Sequence, residues 1–576
     1  MTFSDERKNL MSNLRVLIIG GVACGPKTAS RLKRLCPDAD ITMIERDRLI
    51  SYGACGLPYY VEGEFLNINA LTHTQVGLPR TAEFFEKTKG FKVLARTEAI
   101  RINRSRKTVT VKALDTGVES DLPYDKLVIA AGGSAFRPPI PGIDLKNVWF
   151  MTHPEHARTL VEEIAAQGLK NAVMVGAGFI GMEMAEALMY KDMNVTMVEM
   201  FDHVLPGVMD RDLAAYVQLH LEDNDVDLAL GERVVGLEGD GDGKVTAVKT
   251  DQRSISADCV VVAVGTRPND ELAREAGLFC DRGILINNNC QTSDPDIYAG
   301  GDCVLNRFIN KTVAPPMYVP LGSTANKHGR TIANHIAGQQ TPFPGINGTG
   351  VVKVFDYTVG RTGLTEAMAK KLGIAYESIV WGGPDRPHYM KNARYFLIKM
   401  LASKRDRKVL GVQVAGAGDG AKRLDVAAGT LYYGGTVEDL ADIDLAYAPP
   451  FGPPIDPIAV CAHVLSNKMD GIARSISVYD AKERMDQGDV LLLDVREPDE
   501  NKMLKMAYDK VVHIPLGSLR ERLNELPRDK DIITFCKISL RGYEAQRILQ
   551  AAGFDRVWFM EGGHEAWPFE LDYLGM

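Results

Sequence analysis

The sequence predicts an alternating α/β protein of several domains, on three observations. Twice, an apolar strand runs into a glycine turn, a helix, a second strand and then an acidic residue. The segments are RVLIIGGVACGPKTASRLKRL with ADITMIERD, and NAVMVGAGFIGMEMAEALMYKDMNVTMVEM. That grammar opens a doubly wound sheet, in which the turn between strand and helix meets a dinucleotide. The second observation is size: 576 residues exceed what one core serves, and 45% hydrophobic with 25% charged residues is a globular balance. The third is a compact αβ pattern of about 100 residues from Ile476 onward, carrying LLLDVRE, IITFCKISLRGY and RVWFMEGGHEAW.

The expected organisation follows in order. A discontinuous nucleotide-binding domain takes residues 13–136 and 270–345, and a second takes 137–269. Residues 346–468 alternate in VVKVFDYTVGRTG, then run through RYFLIKMLAS and KVLGVQVAG, which reads as an antiparallel α+β domain. A short linker near SNKMDGIARS leads to the last domain, 474–576. The formal charge of −8 gives no field for nucleic acid, and no run of eighteen apolar residues predicts a membrane span. Residues 1–14 lack the apolar stretch of a signal peptide, so a cytoplasmic chain is expected. Nine cysteines are scattered and never spaced CxxC, which argues against a metal site or a disulfide framework. Most cysteines in such a chain are small buried hydrophobes.

In the second unit Gly176, Gly178 and Gly181 form GxGxxG. Such glycines permit a tight turn, close approach of backbone to pyrophosphate, and packing of helix on strand. Glu199, eighteen residues past Gly181, ends the next strand. A carboxylate there accepts from a ribose diol and repels a 2′-phosphate, which favours NADH over NADPH. In the first unit the three positions are Gly20, Val22 and Gly25, with Gly21 before the valine and Glu45 twenty residues past Gly25. Two later segments support it: YDKLVIAAGG, an apolar strand ending in small residues, and TSDPDIYAGGDC, which sets Asp302 beside Gly300 and Gly301. Asp302 suits a hydrogen bond to a ribityl hydroxyl.

On these motifs residues 15 to about 465 resemble the two-dinucleotide flavoproteins of the pyridine nucleotide–disulfide oxidoreductase family. The resemblance implies FAD in the first unit, NADH in the second and a homodimer through the third. It places Gly20, Gly21, Ala23, Gly25, Glu45, Ala131, Gly132, Gly301 and Asp302 around FAD, and Gly176, Gly178, Ile180, Gly181, Glu199 and Gly265 around NADH.

Many members of that family carry CxxxxC. Here only Cys55 stands in SYGACGLPYY: Ser51 lies four residues before it and Tyr60 five after it, and neither is a cysteine. Ser51, Tyr52, Cys55, Leu57, Pro58 and Tyr59 resemble the single-cysteine branch, which reduces oxygen or peroxide, or handles coenzyme A disulfides. The oxygen and peroxide reducers carry a histidine in the first glycine turn, where this chain has Ala23. The turn GGVACG is similar instead to that of coenzyme A disulfide reductases, in which two tyrosines of the partner subunit approach the cysteine. Tyr447 in LAYAPPF and Tyr389 in RPHYMKN match those positions. Departures from the pattern are Ala54, where asparagine is common, Cys24 in place of glycine, and Pro26 with Lys27 after the turn. Lys27 has two readings, a cation that lowers the Cys55 thiol or meets a substrate phosphate, and the commoner one of a solvated side chain. Lys33 and Arg34 match basic positions that can meet coenzyme A phosphates, although basic residues on a helix are commonly just surface, with Ser51 and Tyr52 also at the substrate.

Cys536 ends the strand IITFC, and Arg541 follows it as C-x4-R. A loop entering a helix points N–H groups at such a sulfur, and this loop is one residue shorter than the C-x5-R that surrounds a phosphate. With Asp494, Arg496, Gly562, Gly563 and Trp567, residues 476–572 resemble a rhodanese domain. The implied activity is NADH-dependent, FAD-mediated reduction of coenzyme A disulfide, coenzyme A persulfide or polysulfide at Cys55, coupled to sulfane-sulfur transfer at Cys536 between small thiols. The competing expectations are an NADH oxidase and a redox-sensing flavoprotein with little turnover.

Overall fold

The computed structural model describes residues 14–309, 315–488 and 490–573. The stretch 1–14, read above for a signal peptide, lies outside them up to residue 13. Two compact units are formed. One holds residues up to Gly176, Glu183–Val198 and Arg233–Ile346; the other holds Ala177–Met182, Glu199–Glu232 and Asn347 onward.

In the first unit the strands Ile297–Ala299, Lys126–Ile129, Arg15–Ile19, Asp40–Ile44 and Lys92–Leu94 lie side by side in that order. All are parallel, with Val16 opposite both Ile41 and Lys126. Central strands of parallel sheets are covered on both faces, which is why VLII, after the exposed Arg15, is a run of buried residues rather than an alternation. The helix Cys24–Leu35 packs against the helix Gly322–Ile336. A Cβ at Gly329 would stand 2.7 Å from the Cys24 carbonyl oxygen, and one at Gly300 2.8 Å from the Cys24 sulfur. Cys24, unusual at its place in the turn, therefore fills a gap between packed elements, and burial pushes its thiol well up. A second parallel group aligns Asn194–Glu199, Asn171–Val175, Cys259–Val262 and Val148–Trp149. Two antiparallel ribbons, Thr97–Asn103 to Glu119–Pro123 and Val234–Gly239 to Ser254–Ser256, were not marked by the strand–turn–helix grammar.

The second unit carries an antiparallel sheet in the order Gly350–Val354, Tyr357–Gly363, Val409–Gly416, Tyr395–Ser403, Tyr376–Pro384. Helices Gly420–Tyr433 and Pro457–Met469 pack on it. The strand Tyr395–Ser403 is buried almost throughout, so its Lys399 ammonium is neutralised internally, at 2.7 Å from Asp212, 3.4 Å from Glu366 and 3.6 Å from Asp210. The same unit holds a parallel sheet ordered Ser475–Ile476, Val557–Met560, Asp531–Phe535, Val490–Asp494, Val511–His513. Near SNKMDGIARS a short connection separates a helix from the next strand. Ser466–Met469 continue the helix, where Lys468 is held by Glu377 and Glu561, and only 470–474 connect, with Gly471 left-handed.

Candidate functional site

The two glycine turns are built alike. Gly20 adopts φ +105°, and a Cβ there would stand 2.1 Å from the Ala130 carbonyl oxygen; one at Gly25 would stand 1.9 Å from that of Gly20. Gly176 repeats the pattern at φ +100°, facing the Ala263 oxygen at 2.7 Å. Each strand-end acid holds its own turn. Glu45 accepts from the N–H groups of Gly21 (2.6 Å) and Asp47 (2.9 Å), and Glu199 from those of Ala177 (2.9 Å) and Phe201 (3.1 Å). A carboxylate has about four acceptor sites, so half remain for a ribose diol. Burial pushes the Glu45 carboxyl up.

Other glycines face open space. A Cβ at Gly132, Gly178 or Gly265 would meet nothing within 4 Å. That is the complement of the blocked positions: Gly20, Gly25 and Gly176 close the chain on itself, whereas these three leave room for a ligand against bare backbone. Ile180, apolar and 38% exposed, opens the helix beside Gly178. Gly132 and Asp302 come from the ends of neighbouring parallel strands, and Gly133 approaches the Asp302 Cβ at 3.6 Å from its own Cβ position. Gly20, Ala131, Gly132, Gly301 and Asp302 thus lie past the carboxyl ends of three adjacent strands, where open α/β sheets bind dinucleotides. Ala23 begins the helix that follows the turn. His328, missed in the sequence, accepts from the Gly301 N–H at 3.2 Å and is buried, which lowers its imidazole to about 4.

Cys55 sits in a single 3-10 turn, Ala54–Gly56, that runs directly into the helix Leu57–Glu62. It is exposed, as is Ala54. The turn hangs on the glycine loop: Ser51, left-handed at φ +54°, donates its N–H to the Gly21 oxygen at 2.8 Å and accepts from Arg80 at 2.6 Å. Tyr52 stands edge-on to His153, its hydroxyl pushed up to about 12 by burial and by the charges of Glu45 and Asp47. Although the residue reaches solvent, the protein packed around its sulfur desolvates the thiolate, and that first, then Glu183 and Asp302, raises the Cys55 thiol. The expectation that Lys27 would lower it is not met. The stem of Lys27 packs where Gly329 brings the next helix close, and the charges acting on Cys55 are acidic. Glu183 is the other residue that sequence reading missed. It accepts from the Tyr59 hydroxyl at 3.1 Å, and burial raises its carboxyl to about 7. No local signal marks it, because it lies in the other nucleotide unit's helix.

Lys33 is engaged at the end of its own helix, donating to the Ala39 oxygen at 2.8 Å with its stem against Gly90, while Arg34 is exposed. Tyr447 and Tyr389 are both exposed. They part company in their surroundings: Tyr447 lines a cavity of about 670 Å³ with Arg386, Asn392, Lys422 and Phe451, whereas Tyr389 stands edge-on to His388.

Cys536 follows the strand Asp531–Phe535 and is fully buried. The loop turns through Ser539 at φ +85° into the helix Leu540–Ala551. Arg541 in its first turn grips Glu500 through both terminal nitrogens, at 2.6 and 2.7 Å, and its guanidinium reaches Cys536. The pairing drives the Glu500 carboxyl down to about 2. Asp494 and Arg496 form a buried pair at 2.7 Å, with Asn501 completing the carboxylate. Gly562 and Gly563 are both left-handed, and Trp567 is buried.

The fold and site define a two-nucleotide oxidoreductase with a thiol beside its first glycine loop and a second thiol loop at its C-terminal end. Residues 14–329 match the pyridine nucleotide-disulphide oxidoreductase model, 349–456 its dimerisation domain, and 477–569 a rhodanese-like domain. The chain belongs to the pyridine nucleotide-disulphide oxidoreductase family and carries a rhodanese-like domain. It is 36% identical over 453 residues to the NAD(P)H coenzyme A polysulfide/persulfide reductase of Pyrococcus horikoshii, spanning 78% of this chain and 98% of that one. Among solved structures it is similar to a NAD-dependent persulfide reductase from A. fulgidus, at 42% identity and TM-score 0.91 over 96% of this chain and 100% of that one. It is also similar to the reduced CoADR-RHD of Bacillus anthracis, at 35% identity and TM-score 0.89 over 96% and 98%. No helix among the described residues is long and apolar enough to cross a membrane.

Proposed function

We propose that this chain is an NADH-dependent flavoprotein that reduces coenzyme A disulfide, coenzyme A persulfide or polysulfide at Cys55, coupled to sulfane-sulfur transfer at Cys536. Cys55 carries the reading: of nine cysteines it is the exposed one, and it stands on the turn that Ser51 ties to the FAD glycine loop. FAD is assigned to residues 13–136 and 270–345, with Gly20, Gly25, Glu45, Gly132 and Asp302 as its holders, and NADH to 137–269 around Gly176, Gly178 and Glu199. Bound FAD supplies the two-electron relay between a hydride donor and a sulfur–sulfur bond.

The Cys55 thiolate attacks the disulfide or persulfide sulfur. A new S–S bond forms as the old one breaks, and the leaving thiolate takes a proton. Two electrons that originate in NADH then cleave the mixed disulfide, restoring Cys55. The balance is NADH, one proton and RSSR′ to NAD⁺, RSH and R′SH; with a persulfide the second product is hydrogen sulfide. Cys536 accepts the outer sulfur of a donor persulfide and passes it to a thiol, with Arg541 supplying positive charge at the loop. Tyr447 and Tyr389 are assigned to the partner subunit's Cys55 in a homodimer, which the dimerisation domain supports. Arg34, exposed on the helix that follows the glycine loop, is the basic candidate for coenzyme A phosphate. The nine cysteines stand as thiols, which suits a reducing compartment, and the cytoplasm is the location proposed.

The test is anaerobic NADH oxidation with coenzyme A disulfide, coenzyme A persulfide and polysulfide, using the parent chain and Cys55→Ser. Turnover with at least one acceptor, lost in Cys55→Ser, is the expected result. Turnover that needs oxygen, or that survives the substitution on every acceptor, overturns the assignment.

A further inference from the structure

The turn that follows the strand Val557–Met560 forms one wall of the Cys536 loop. A Cβ at Gly563 would stand 2.5 Å from the carbonyl oxygens of both Cys536 and Lys537. His564 donates its N–H to the Cys536 oxygen at 3.0 Å, and Glu565 to the Lys537 oxygen at 3.1 Å. The left-handed pair Gly562–Gly563 thus brings backbone against backbone, and the path of the Cys536 loop follows the path of this turn.

What holds the turn lies in another domain of the same compact unit. Glu561, directly before it, is 5% exposed. Its carboxylate accepts from the Val380 N–H at 3.0 Å, the Lys468 ammonium at 2.9 Å and the Ser475 hydroxyl at 2.5 Å. Val380 belongs to the strand Tyr376–Pro384 and Lys468 to the helix Pro457–Met469, both in the dimerisation domain. Lys468 is fixed in turn by Glu377 at 3.1 Å and the Ser378 oxygen at 2.8 Å. Gly382 lies against the turn, a Cβ there being in ordinary contact with the Gly562 oxygen at 3.5 Å. On the other side of the loop the Lys537 ammonium lies 4.4 Å from the ring centre of Tyr395, again in the dimerisation sheet. The residues either side of the thiol loop are therefore seated on the neighbouring domain.

We propose that Glu561 is a positioning residue for the sulfurtransferase site, setting the Cys536 loop by anchoring its wall on Val380 and Lys468. The thiol loop then takes its working shape only with the dimerisation domain in place. This rests on the reading of Cys536 as a sulfur carrier. A carboxylate that satisfies an ammonium, a hydroxyl and a main-chain N–H has little freedom to shift, so it transmits the position of one sheet to the other.

The experiment uses the full-length chain with Glu561→Gln, and Lys468→Met as a second disruption of the same anchor. Sulfur transfer is read with thiosulfate as donor and cyanide as acceptor: the outer sulfur passes to Cys536 leaving sulfite, then to cyanide as thiocyanate. The pH profile of Cys536 alkylation is read in a Cys55→Ser background, and NADH oxidation in the Cys55 parent. Both variants are expected to lose transfer by roughly tenfold to a hundredfold, the cost of a small misplacement at a reacting atom. The alkylation midpoint of Cys536 is expected to shift, because the wall that encloses this buried thiol moves with the turn, with NADH oxidation kept. A role in stability alone lowers the unfolding temperature and leaves the alkylation midpoint of the folded chain unmoved, and that result overturns the proposal. If the parent itself transfers no sulfur, the sulfur-carrier reading fails, while an alkylation midpoint unchanged in both variants still overturns the positioning role of Glu561.

Discussion

Replacing Glu183 by glutamine removes one part-buried negative charge from the neighbourhood of Cys55, and the sign of its effect follows from the burial. Burial, with Glu186 adding to it, raises the Glu183 carboxyl from 4.5 to about 7, against the opposing bond from Tyr59. The folded chain therefore holds that proton more tightly than the unfolded chain. Stability from this group is complete below pH 4.5 and falls as pH rises through 7. At about 1.4 kcal/mol per unit the 4.5-to-7 difference is roughly 3 kcal/mol at pH 8, an upper figure because the group is only part-buried. Glutamine has the shape of the protonated acid, and its carbonyl still accepts from Tyr59. The variant should match the parent near pH 5 and unfold at a temperature roughly 5 °C higher at pH 8, since 1 kcal/mol moves a mid-sized domain by about 2–4 °C. A second readout follows from the same charge. With Glu183 gone, and burial and Asp302 left, the alkylation midpoint of Cys55 should fall. Thermal scans across pH 5–8 and timed alkylation measure both. An equal change in unfolding temperature at pH 5 and pH 8, with an unmoved alkylation midpoint, refutes the reasoning.

The glycines of the two turns should respond according to what each faces. Gly20→Ala meets a carbonyl oxygen at 2.1 Å and a left-handed φ, so it should yield chain without flavin absorbance. Gly178→Ala enters open space, so folding and bound flavin should be kept while the KM for NADH rises about tenfold, since the methyl group stands where backbone approaches pyrophosphate. Lys399→Met leaves Asp210, Asp212 and Glu366 without their shared cation and should cost about 3–5 kcal/mol in denaturant unfolding. A loss under 1 kcal/mol would show that the three carboxylates find other relief.

Much of the site was legible because its logic is local. Gly20 and Gly176 are left-handed, and at Gly20, Gly25 and Gly176 alike a Cβ would run into a carbonyl oxygen, so the three positions admit only glycine and declare themselves in the sequence. The strand-end acids Glu45 and Glu199 are legible for a related reason, since each caps the turn that its own βα unit creates. The solitary Cys55 and the short C-x4-R loop at Cys536 are likewise matters of spacing. Other features depend on neighbours from elsewhere in the chain. The stem of Lys27 packs against Gly329, and Lys33 donates to the Ala39 oxygen at the end of its own helix. Lys468 is held by both Glu377 and Glu561, which no local pattern announces.

The sequence by itself determined the order of domains, the two nucleotide turns and the two thiols, because periodicity and spacing act through the backbone within a few dozen residues. Only the tertiary structure decided the electrostatic setting of those thiols. Glu183 and Asp302 reach Cys55 across long stretches of chain, and Glu561 ties the Cys536 loop to Val380 and Lys468. A charge acts through space, so what surrounds a thiol is settled by which distant segments share its burial.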